Sequence, residues 1–113
     1  MARLFEAAGL STVTVTMMPG LAQRLGIPRV VGVEFPFGHP FGRPGDRETQ
    51  TAVLRAALRL LEEAREPGAR LDMEIAWPEP QDVAYKAWQP REMSPIVRHM
   101  REQVLARRAA EGA

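Results

Sequence analysis

Cysteine is absent from this chain of 113 residues. Its absence excludes disulfides, Cys-ligated zinc, iron–sulfur clusters, a thiol nucleophile and dithiol redox chemistry performed by this chain alone. No run of about 18 apolar residues occurs, so no membrane span is expected. The opening Met1-Ala-Arg-Leu-Phe-Glu6 lacks the apolar core of a signal peptide, and a cytoplasmic protein is the expectation. An excess of one charge is missing as well: 15 Lys+Arg stand against 14 Asp+Glu, leaving a net charge of +1. That balance gives no reason to expect a nucleic-acid backbone or an anionic membrane as partner. The phosphate loop Gly-x-x-x-x-Gly-Lys-Ser/Thr, the dinucleotide motif Gly-x-Gly-x-x-Gly, Gly-x-Ser-x-Gly and His-Glu-x-x-His are all absent. The two histidines, His39 and His99, lie far apart without ligand spacing, so neither a metal nor a cofactor is expected.

What is plentiful is glycine and proline. Nine glycines and ten prolines make about one residue in six, against an average near one in eight. Six of them fall within Pro36–Gly45, and five prolines fall within Pro67–Pro95. The remaining 45% hydrophobic and 26% charged content is that of one globular domain. The division expected is a Rossmann-like α/β module over residues 1–66, followed by a Pro-rich arm and terminal helix over 67–113.

The local pattern supports that division. Residues 2–8 read as a short helix stopped by Gly9. Residues 11–17 alternate Val13, Val15 and Met17 against Thr12, Thr14 and Thr16, which predicts a strand. A short helix opens at Pro19, with Leu21, Ala22 and Leu25 as its inner stripe. Residues 29–35 form a near-continuous apolar run, as in a strand covered on both faces of a parallel sheet. Residues 11–35 thus read as one right-handed β-α-β unit. Asp46 N-caps the longest helix, residues 47–65, with Val53, Leu54, Ala57, Leu58, Leu61 and Ala64 as its apolar stripe. Residues 71–77 alternate again, either as an edge strand or as an extended arm. Prolines 78, 80 and 90 predict an irregular stretch, and Ser94-Pro95 opens a final helix to about residue 109. Two parallel strands do not cover their own edges and faces, so a second protein chain is expected as a partner, as another copy or a different subunit; the alternative is that residues 71–77 complete a small three-stranded sheet and the chain folds alone.

The most distinctive segment leaves the carboxyl end of the second strand, where ligands gather in parallel sheets. Phe35, Pro36, Phe37, Gly38 and Phe41 suit the walls of a small apolar pocket, Glu34 and His39 suit an acid/base pair, and Thr16 lies at the neighbouring strand end. The competing reading is a tight, aromatic-anchored connection with no ligand, Glu34 being paired with Arg29 or Arg43. Trp77, Tyr85 and Trp88 suit either anchors on a partner or an intramolecular cover over the apolar face. The arginines of the last helix read as a solvated face.

Three stretches carry a family resemblance: Glu6-Ala-Ala-Gly-Leu-Ser-Thr-Val-Thr-Val-Thr16, Gly26-Ile-Pro-Arg-Val-Val31 and Glu34-Phe-Pro-Phe-Gly-His-Pro40. Over residues 3–64 the chain resembles the C-terminal part of the B subunit (selenoprotein B) of the glycine/sarcosine/betaine reductases, and the related D-proline reductase subunit. Pro36, Gly38 and Pro40 are in step with the family loop, and His39 stands where that family commonly has Asn. The family cleaves a C–N bond of an amino acid or amine reductively, a selenolate or thiolate attacking the α-carbon. That reactive residue lies just upstream of the helix that opens this chain, and the chain itself has no cysteine. The resemblance therefore implies a non-nucleophilic subunit whose partner supplies the thiol or selenol, with a small amino acid or amine as ligand. The other readings of these residues are a non-catalytic binding or scaffold module, or a self-contained enzyme using Glu34 and His39.

Overall fold

A parallel three-stranded sheet organises the first three-quarters of the computed structural model, which describes residues 1–87 and 92–112. The elements follow in the order α1 (Ala2–Ala7), β1 (Thr14–Thr16), α2 (Pro19–Arg24), β2 (Arg29–Gly32), α3 (Arg47–Glu63), β3 (Ala69–Asp72), α4 (Gln81–Ala87) and α5 (Pro95–Glu111). Strand order is β1-β2-β3, with Val15 opposite Val31 and Val31 opposite Leu71. The α/β class expected from the alternating pattern is the class observed.

Register sorts the side chains into two faces. Val15, Val31 and Leu71 point one way, and the same alternation carries on through Met17, Val33, Phe35, Met73, Ile75 and Trp77. Helix α3 covers this face, and the core is the cluster of Val33, Phe35 and Val53. The opposite face carries Thr14, Val30, Gly32, Arg70 and Asp72 and is covered by α2. Gly32 is required there: a Cβ at this position would run into the Asp72 carboxylate and lie 2.8 Å from Pro19 Cγ at the start of α2. The two helices sit on opposite faces while the strands advance in one direction. The two crossovers therefore have opposite hands, and one of them departs from the right-handed rule.

Several expected boundaries shift. The ladder of β3 spans Ala69–Asp72, not residues 71–77, because β2 ends at Gly32 and offers no longer edge to pair with. Beyond Asp72 the inward alternation of Met73, Ile75 and Trp77 continues without a ladder, packing on the core cluster. The division at 66/67 therefore falls inside the sheet, since the arm contributes the third strand. The stretch expected to be irregular contains α4, whose first turn the Pro80 carbonyl closes by accepting from the Ala84 N–H at 2.9 Å. Asp46 caps α3 as expected, accepting from the Thr49 N–H at 3.1 Å.

Much apolar surface remains open. No residue of α1 is buried, Ala22 alone is buried in α2, and Leu58 on the expected inner stripe of α3 is 61% exposed. No residue of α5 is buried. The chain extends 63 × 36 × 19 Å with a radius of gyration of 19.2 Å, against about 13 Å for a compact chain of this size. No described helix is long and apolar enough to cross a membrane.

Candidate functional site

The carboxyl ends of all three strands open onto one cleft of about 480 Å³. Met17 follows β1, residues 33–36 follow β2, and Ala76 and Trp77 lie on the segment that follows β3. Glu79, Gln81, Ala84 and Tyr85 close the far side from the start of α4. This is the place where the fold class gathers its ligands, and the size suits a small molecule.

The aromatic walls are held from behind. Trp77 lies 5.5 Å from the ring of Phe35 and 5.4 Å from that of His39, and the Arg43 guanidinium sits 5.8 Å from its centroid. The Trp77 indole N–H is buried with no acceptor among the described residues, a cost of about 1–3 kcal/mol beside the cleft.

Among the described residues, two carboxylates, Glu34 and Glu79, line the cleft, and no cationic side chain does. Glu79 accepts from Arg43 Nη2 at 2.8 Å. Arg29 is engaged elsewhere, its Nη1 donating to Glu6 Oε1 at 2.6 Å. Neither expected arginine pairs with Glu34, which makes no hydrogen bond or ion pair among the described residues and is exposed. The Glu6 carboxylate is held below its ordinary range, first by the Thr12 N–H and then by the Thr12 hydroxyl and Arg29, against the raising effect of desolvation. It serves the packing of α1 and lies outside the cleft.

The expected site residues separate. Glu34, Phe35 and Pro36 line the main cleft together with Trp77 and Tyr85. His39 lines a neighbouring hollow of about 200 Å³ with Arg43 and Pro44, and the two spaces share Pro36, Trp77, Glu79 and Ala84 as walls. Phe41 packs against the core cluster, and Phe37 is exposed at the loop surface. Gly38 turns the loop at φ +88°, and the Thr16 hydroxyl accepts from the Met18 N–H at 3.0 Å where the chain turns toward α2. Trp77 covers the apolar face of its own chain; Trp88 lies outside the described residues. Glu79, Gln81 and Ala84 escaped the sequence reading because α4 was not anticipated; Pro80 followed by Asp82 in the first turn was the available signal. Among the described residues, no group of three His, Asp or Glu side chains is placed to hold a metal ion.

Comparison with protein-family models, with curated proteins and with solved structures finds no match for this chain.

Proposed function

We propose that this protein is the non-nucleophilic half of a reductase-like assembly, and that its cleft receives a small amino acid or amine. One observation carries the reading: among the described residues, an aromatic-walled cleft at the carboxyl ends of parallel strands is lined by two carboxylates, of which Glu79 is paired with Arg43 and Glu34 has no partner. Such a lining favours a small ligand with a positively charged nitrogen, held by the unpaired Glu34 carboxylate and by the faces of Trp77 and Tyr85. The chain has no cysteine, so the attacking sulfur or selenium belongs to another chain. In that reaction a bond forms between the partner's chalcogen and the α-carbon, and the C–N bond breaks. The cationic nitrogen leaves with the bonding electron pair as the neutral amine, so the step needs no proton from Glu34, whose carboxylate holds the nitrogen until the bond breaks, while His39 stands behind the shared wall. The loop resemblance at Pro36, Gly38 and Pro40 supports the same reading. A non-catalytic binding module of the same fold is the second reading, favoured by the separation of His39 from the main cleft.

Tryptophan fluorescence tests the ligand class. Betaine, D-proline and tetramethylammonium are titrated into the protein beside a neutral isostere of each. Saturable quenching by these three ligands, each carrying a positively charged nitrogen, weakened by Glu34→Gln and lost in Trp77→Leu, is the expected result. Equal responses to these ligands and to their neutral isosteres would overturn the reading.

A further inference from the structure

Helix α5 carries a second surface, independent of the cleft. Val97, Met100 and Val104 follow one another within the helix at spacings of three and four residues, the a/d spacing of a coiled-coil seam. Each of them is at least 49% exposed, and the seam rises about 1.5 Å per residue over roughly two turns. It ends at Arg107 and Glu111, which occupy the next d and a positions. On this register Arg101 and Arg108 hold the e positions, while Ile96 and Gln103 hold the g positions.

That charge pattern decides between occupants. Pairing two copies antiparallel sets Arg101 and Arg108 against the same arginines. Pairing them in parallel sets Ile96 and Gln103 against arginines, so no carboxylate answers the e positions in either arrangement. A membrane surface is also a poor fit: the described helix has no aromatic residue and no lysine, and Glu102 and Glu111 interrupt its basic character. We propose that α5 is a docking helix for a different protein, one that offers an apolar groove or helix seam with carboxylates opposite Arg101 and Arg108. This partner covers the seam, none of whose residues is buried among the described residues. The proposal does not depend on what the cleft binds, because none of the described cleft-lining residues belongs to α5.

The test uses the full chain and two synthetic three-heptad peptides, each with Ile at a and Leu at d. One carries Glu at every e and g position, the other Lys, so that like charges keep each from pairing with itself. Fluorescence anisotropy is expected to give saturable binding of the Glu peptide, at least about tenfold tighter than the Lys peptide. The double variant Arg101→Glu/Arg108→Glu is expected to invert that preference, and Met100→Asp to abolish binding to both peptides while leaving the ligand response of the cleft intact. Equal affinity for the two peptides, or no change of preference on charge reversal, would overturn the proposal. So would sedimentation equilibrium showing a dimer that Met100→Asp dissolves, or tighter partition to phosphatidylserine vesicles than to the Glu peptide.

Discussion

Replacing Gly32 by Ala probes the contact between the sheet and α2. The added Cβ would meet the Asp72 carboxylate and lie 2.8 and 2.9 Å from Cγ and Cβ of Pro19. Asp72 is exposed and can swing, at the expense of its 2.9 Å ion pair with Arg70. Pro19 is a rigid ring at the first turn of α2, so the helix itself must move away from the sheet. Overpacking of this kind costs about 1–3 kcal/mol. The reduced backbone freedom of the unfolded chain returns about 0.4–1 kcal/mol. A net loss of about 1–2 kcal/mol remains, or a fall in Tm of roughly 5–10 °C for a chain of this size. Gly20→Ala is the control: it lies in the same helix with nothing within 4 Å of its added Cβ, so it should gain about 0.5–1 kcal/mol. Urea unfolding followed by far-UV circular dichroism reads both variants. A Gly32→Ala protein as stable as the parent would refute the close approach of α2 to β2.

Three further outcomes follow from the same packing. Val53→Ala, at a side chain 0% exposed in the core cluster, should cost about 2 kcal/mol in denaturant midpoints, whereas Leu58→Ala on the open flank of α3 should change stability by less than about 0.5 kcal/mol. The Glu6 carboxylate titrates below its ordinary value of 4.5 in the folded chain, so its contribution is complete above that pH and is lost as pH falls through the lowered value. Glu6→Gln should flatten the acid limb of a stability–pH curve and leave its neutral-to-alkaline shape unchanged. Arg43→Ala removes the guanidinium beside Trp77 and the partner of Glu79; with that pair 46% and 40% exposed, the cost should stay below about 1 kcal/mol while tryptophan emission shifts to the red.

The sheet was legible because its strands obey simple patterns. Val13, Val15 and Met17 alternate with threonines, and the β2 run is apolar on both faces because helices cover both. Asp46 and Ser94 announced their helices through ordinary capping chemistry. Pairing length was not legible, since β3 stops where β2 stops, and the alternation of Met73, Ile75 and Trp77 records burial, not a ladder. The site was legible as a place, through the Phe/Pro-rich exit from β2, but not as a set of neighbours. Trp77 and Tyr85 read equally well as outward anchors, and only the fold of the arm back over β2 turns them into cleft walls. Glu34 and His39 are five residues apart, yet the turn at Gly38 sends them into adjoining spaces.

The most direct test of the cleft as a ligand site is an amide NMR titration of the ¹⁵N-labelled protein with betaine. The account predicts saturable shifts gathered on Met17, Val33, Glu34, Phe35, Trp77, Ala84 and Tyr85, attenuated in Glu34→Gln. Shifts that never saturate, or that gather away from the carboxyl ends of the strands, would contradict it.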